Sequence, residues 1–340
     1  MRTPAFQDNM LRILNKEKAQ RATLFEIFLN DPLYERLAGH PQQQEGAVGK
    51  LRLVVDAMAA AGYDYATCYG SDYAFPQEHR TKADTVSLNG QAVITDWESF
   101  EKYQWPDPDA FDYSRLEKIR PYLPEGMKLM VMGPGGVLEN VMSMVGYDNL
   151  CILLYEEPEL VQAMFDKVGS GLLRYYENAV DADAVGFICS NDDWGFNTQT
   201  FLSPADMRKY VFPWHKKIVE LVHRHGKPCI LHSCGYFNDI IEDVIEDMKY
   251  DGRHSYEDVI TPVEEAYERF GDRIVVMGGI DMNFMVTRTP EEVYARARAM
   301  LERTAERGNY LLGTGNSVPE YVPVENYLAM TRAALDADKA

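Results

Sequence analysis

The chain has no uncharged apolar run approaching the ~20 residues that cross a bilayer. Its opening stretch, Met1 to Arg21, scatters Arg2, Asp8, Arg12, Lys16, Glu17 and Lys18 among apolar positions, so the core of a signal peptide is missing too. Basic residues are scarce: 34 Lys and Arg stand against 53 Asp and Glu, a formal charge of −19. That excess repels nucleic acid and anionic membranes and argues against a phosphate-backbone partner. Cysteine is sparse, five in 340 residues at 68, 151, 189, 229 and 234. An odd number in a long chain reads as reduced thiols rather than a disulfide framework. Repeats, low-complexity tracts and Pro/Gly/Ser-rich linkers are absent, and Gly133-Pro134-Gly135-Gly136 lacks the Gly-Lys-Ser/Thr of a P-loop. What remains is ordinary globular composition, 46% hydrophobic and 26% charged. The expectation is a soluble cytoplasmic enzyme with neither a nucleic-acid nor a membrane partner.

Short apolar runs that read as buried parallel strands occur at Ala22–Phe28, Tyr63–Tyr69, Lys128–Met132 and Ala184–Cys189. Others follow at Pro228–His232, near Met248–Gly252, at Arg273–Met277 and at Asn309–Leu312. Helical patterns lie between them. Ser203-Pro204, Thr261-Pro262-Val263-Glu264 and Thr289-Pro290-Glu291-Glu292 each set a hydroxyl cap before proline, and the last two complete a capping box. Phe237, Ile240, Ile241, Val244, Ile245 and Met248 follow the spacing of an apolar helix face. Eight strands alternating with helices predict an α/β fold, a (β/α)8 TIM barrel, over an open doubly wound sheet. One domain is expected over residues 1–340, with 1–20 as an N-terminal helical extension. Residues 71–124, polar and turn-rich around Trp97 and Trp105-Pro106-Asp107-Pro108-Asp109, read as an insertion or lid.

In such a barrel the residues just after each strand build the site. The sharpest signal there is His232-Ser233-Cys234, because imidazole and thiolate two residues apart at a strand end are a favoured Zn²⁺ pair. The plain alternative is a buried thiol beside a hydrogen-bonded histidine. Asp192, Asp193, Glu257 and Asp281, with His254 as a further imidazole, are the candidates to complete a metal set. Asp192, Asp193 and Glu257 can equally orient substrate or shuttle a proton, with Tyr69 beside them. Tyr69, Trp194 and Phe196 offer an apolar wall, and Cys68, Thr314 and Asn316 complete the expected substrate surface. His215, His223 and His225 precede the strand at Pro228 and are expected on the surface, away from the chemistry.

His232-Ser233-Cys234-Gly235, then Asp281 in Gly278-Gly279-Ile280-Asp281, then Gly313-Thr314-Gly315 and Val322-Pro323-Val324-Glu325-Asn326 resemble the uroporphyrinogen decarboxylase superfamily. The likeness covers roughly Ala184–Leu335 and, more loosely, the chain back to Ala22. It implies a (β/α)8 barrel and two branches of chemistry. Cofactor-free decarboxylases of this kind carry an Arg-rich N-terminal motif for propionate carboxylates, an Asp ending the second strand and a late Gly-His-Gly. Here Arg21-Ala22-Thr23-Leu24-Phe25-Glu26-Ile27-Phe28, Cys68 and Gly313-Thr314-Gly315 stand in those places. The methyltransferase branch uses His-x-Cys and a distant Cys as zinc ligands. His232 and Cys234 match the pair, while Thr314, a poor ligand, takes the third place. That is compatible with an altered metal set or with none. The resemblance implies a corrinoid-dependent methyltransferase taking a methyl group from a small donor, such as a methoxylated aromatic or methylamine-like compound. The acceptor would be the corrinoid of a partner protein. Decarboxylation, methyl delivery to a thiol or pterin, and a non-catalytic binding role are the alternatives.

Overall fold

The computed structural model describes residues 2–76 and 92–338. Among the described residues, seven parallel strands pair in chain order into one curled sheet. They are β1 (Tyr65–Tyr69), β2 (Lys128–Met132), β3 (Val185–Asn191), β4 (Cys229–His232), β5 (Gly252–His254), β6 (Val275–Met277) and β7 (Tyr310–Leu311). Every residue of β3 and β4 is buried, which explains why both read as continuous apolar runs without alternation. Helices Pro158–Val180 and Phe212–Arg224 pack against β3, and the apolar side chains form one contiguous core. Among the described residues no single helix is long and apolar enough to cross a membrane.

The eighth expected strand, Ala22–Phe28, does not form. It makes one parallel bridge, Leu24 to Leu312, with the Phe25 amide donating to Leu312 and the Leu312 amide to Thr23. On its other side the Tyr65 hydroxyl intervenes, donating to the Glu26 carbonyl at 2.6 Å and accepting from the Glu26 amide at 2.8 Å. A side chain thus takes the hydrogen bonds that a backbone ladder to β1 would need.

Other expectations shift for local reasons. Thr289 and Glu292 form the capping box, and Ser203 caps the Asp206 amide at 3.1 Å. The box at Thr261 is absent, because Glu264 is drawn to Arg296 at 2.9 Å and Thr261 accepts from Asn238 instead. The apolar face from Phe237 to Met248 is buried, yet its backbone is a turn followed by a wide π-type turn over Asp243–Asp247. Met248 therefore ends a helical segment, and the next strand starts later, at Gly252.

At the N-terminus, Phe6 stacks on Phe187 at 5.8 Å and the short helix Met10–Leu14 is buried with it. Part of the 71–124 segment lies outside the described residues. Its remainder gathers Tyr73, Phe75, Phe100, Tyr103, Trp105 and Phe111 into an aromatic cluster. Arg174 on helix Pro158–Val180 ties this segment down through Asp109 at 2.7 Å.

Candidate metal centre at the C-terminal ends of the strands

Parallel pairing sets Asn191 beside His232, so the loops leaving β3 and β4 start side by side. The Cys234 amide donates to Asp193 Oδ1 at 2.8 Å, and the Tyr236 amide to the Phe196 carbonyl at 2.7 Å. Gly235 allows this approach: its φ is +88°, and a Cβ there would sit 2.0 Å from the Gly195 carbonyl. The result is a cluster. His232 Nε2 lies 3.7 Å from Cys234 Sγ and 3.9 Å from Asp193 Oδ1, with all three ligand atoms within 4.8 Å of one another.

Those spacings suit a tetrahedral ion, whose N, S and O ligands lie about 3.3–3.6 Å apart when bonds are ~2.0–2.3 Å. The protonation states suit one as well. Burial, helped by the Arg253 charge, pushes His232 down to about 4, so its imidazole is neutral. Burial, then the Asp193 carboxylate, holds the Cys234 thiol well above its usual range. A cation bound beside it would reverse that and favour the thiolate. Asn316 Nδ2 donates to Cys234 Sγ at 3.2 Å, and Ser255 Oγ lies 3.9 Å away.

Other expected residues are held elsewhere. Thr314 is fully buried; its amide and hydroxyl meet the Glu26 carboxyl at 2.8 and 2.7 Å, and its hydroxyl reaches the Asn316 carbonyl at 2.5 Å. Asp281 caps helix Met282–Thr287 and accepts from the Asp258 amide at 2.9 Å, apart from the cluster. Asp192 is buried and fully engaged: it accepts from the Leu138 and Glu139 amides and pairs with His215, each at 2.9 Å. Glu257 is held loosely, its Oε1 3.5 Å from the Gly235 amide. Trp194, expected to wall the site, is packed inside against His215 and Phe212. Phe196 is 37% exposed and sits on Phe201 and Tyr147. Tyr69 stacks on Phe28 at 5.3 Å and, with Cys68, lines a separate cavity of about 710 Å³. Burial pushes the Cys68 thiol up to about 12.

His215 corrects the surface expectation. Helices return antiparallel to the strands they follow, so the first turn of Phe212–Arg224 lies near the strand ends and its last turn at the opposite end. His215 is in that first turn, 1% exposed, bonded to Asp192 and to the Tyr250 hydroxyl at 2.7 Å. His223, in the last turn, pairs with Asp251 on the outside.

Sequence reasoning also passed over Glu139. Its carboxylate accepts from the Gly136 amide at 2.9 Å, half of a capping box whose other half Asp192 supplies by accepting from the Glu139 amide, and it borders a cavity of about 430 Å³. Burial, with the Asp193 and Asp192 charges added, raises it to about 8. The Gly-rich turn followed three residues later by Glu was the available signal.

A family model, uroporphyrinogen decarboxylase (URO-D), matches residues 82–336. Among relatives, the uroporphyrinogen decarboxylase of Geobacter sulfurreducens is 27% identical over 183 residues, 54% of this chain and 51% of that one. The enzyme of the same name from Anaeromyxobacter dehalogenans is 26% identical over 280 residues, 78% and 75% of the two chains. With the first of these, and several others, the match spans only about half of the relative's length. Among solved structures, a methyltransferase from Methanosarcina mazei superposes with TM-score 0.70 at 16% identity, covering 98% of this chain and 99% of that one.

Proposed function

The chain belongs to the uroporphyrinogen decarboxylase family, and from that premise we propose that it is a methyltransferase passing a methyl group from a small methylated donor to a partner corrinoid protein. The observation that carries this reading is the Asp193–His232–Cys234 cluster, a donor set that porphyrinogen decarboxylation does not need. These three residues would hold zinc, with Asp193 from the β3 loop replacing the ligand that Thr314 cannot supply. Zinc with an open position supplies a Lewis acid for the leaving heteroatom, which is otherwise a poor leaving group.

The protein's own groups have distinct tasks in this reading. His232 presents a neutral ring nitrogen, and Asn316 steadies the Cys234 sulfur. Glu257 has a loosely held oxygen and orients the donor or returns a proton to the departing heteroatom, a role that fully bonded Asp192 cannot take. Phe196 and Tyr147 give an apolar border. The net charge of −19 favours encounter with a partner bearing a basic patch. Decarboxylation finds little support in the arginines. Arg21 is spent on Asp64 at 2.5 Å, and Arg115, beside the Tyr69 cavity, on Asp72 at 2.6 Å.

The test mixes the protein with reduced corrinoid protein from the same organism and a panel of methoxylated aromatics and methylamines, following the Co(I) to methyl-Co(III) spectral change. Elemental analysis should find about one zinc per chain, lost in Cys234→Ala. His232→Ala should abolish transfer while leaving the circular dichroism unchanged. No spectral change with any donor, alongside decarboxylation of a porphyrinogen, overturns the reading.

A further inference from the structure

His232 makes its second contact away from the cluster: Nδ1 lies 2.8 Å from Nδ1 of His254. The other nitrogen of His254, Nε2, lies 2.9 Å from the Thr314 carbonyl. A carbonyl only accepts, so His254 Nε2 carries a proton and donates to it. His254 is fully buried, its two nitrogens meet only His232 and the Thr314 carbonyl, and among the described residues no carboxylate bonds to it to balance a charge, so it is neutral and its Nδ1 is left as an acceptor. The 2.8 Å contact then requires the proton between the rings to sit on His232. The opposite assignment would set two lone pairs against each other at His254 Nε2 and the Thr314 oxygen, in a place without room for solvent. Gly278 keeps it closed: a Cβ there would lie 2.2 Å from the Thr314 oxygen and 2.8 Å from His254 Nε2.

We infer that His254 is a positioning residue that fixes His232 in the Nδ1–H form, leaving Nε2 as a free lone pair aimed at Asp193 and Cys234. His254, one of the expected ligands, thus acts through a ligand, and the Thr314 carbonyl, not its hydroxyl, is the part of residue 314 that serves the centre. This rests on reading Asp193, His232 and Cys234 as a metal set. Outer partners of ligating histidines typically carry 10–100-fold of metal affinity.

Two measurements separate the relay from the metal reading. In metal-free protein labelled with ¹⁵N-histidine, long-range ¹H–¹⁵N spectra should show His232 with Nδ1 protonated and Nε2 bare; the reverse or a mixture overturns the inference. Zinc affinity by chelator competition should fall about 10–100-fold in His254→Leu. His254→Gln, whose amide oxygen can still accept from His232 Nδ1, should restore most of it. Equal affinity in wild type and His254→Leu, or equal loss in both variants, overturns the positioning role. Wild-type protein that shows the expected tautomer yet binds no zinc overturns the metal reading and leaves the hydrogen-bond relay standing.

Discussion

Glu26 offers a stability prediction with a definite sign. It is fully buried, and burial raises its carboxyl from 4.5 to about 8. The hydrogen bonds agree: the Thr314 hydroxyl has one proton, which goes to the Asn316 carbonyl at 2.5 Å, so Glu26 Oε2 at 2.7 Å must donate its own. The folded state therefore keeps a proton that the unfolded chain releases near 4.5, and stability falls as pH rises from about 4.5 to about 8, levelling above. Integrated from pH 5 to pH 8, the loss is about 3–4 kcal/mol. Unfolding entropy of ~2.1 cal/mol/K per residue over 340 residues gives about 0.7 kcal/mol per degree, so the loss corresponds to ~5 °C. Glu26→Gln copies the neutral acid and removes the titration. Melting both proteins across this range and plotting the difference cancels every other titrating group. The variant should gain about 5 °C relative to wild type between pH 5 and pH 8. A difference that stays flat, or that moves the other way, would show the carboxyl ionised in the fold and refute the reasoning.

Two further variants probe the scaffold under the cluster. Asp192→Ala leaves the Leu138 and Glu139 amides and the buried His215 without their partner and should cost about 3–5 kcal/mol in urea unfolding; a loss under ~1 kcal/mol would deny Asp192 its anchoring role. Gly235→Ala drives a methyl into the Gly195 carbonyl at 2.0 Å and should part the β3 and β4 loops. Zinc content should then drop while far-ultraviolet circular dichroism holds, and full zinc retention would contradict it.

Much of the strand plan was legible because a parallel sheet buried on both faces leaves runs such as Lys128–Met132 that nothing else explains. Ala22–Phe28 has the same apolar look, and no sequence pattern reveals that the Tyr65 hydroxyl would occupy its backbone. His-x-Cys was legible from spacing alone. Asp193 was named only as one of several acids, since its place depends on loop contacts between residues 41 apart, Asp193 and Cys234. His215 was misplaced for a related reason: helix direction, rather than order along the chain, decides which end of the sheet a residue approaches. The 254–314 link spans 60 residues and ends on a backbone atom, which no side-chain pattern encodes.

The cluster occupies a narrow arc of the sheet. Asp193, His232 and Cys234 come from two neighbouring strands, β3 and β4, and His254 from the next, β5. Tyr69 ends β1 and Glu139 lies on the helix after β2, on ground that carries none of the three ligand atoms. The loops after β1 and β2 can be lengthened, shortened or exchanged without moving a ligand atom, so under the proposed function the preference for one donor over another can diverge while the cluster stays constant. Grafting the 71–76 and 92–96 segments from a relative should alter which donors are accepted and leave zinc content unchanged.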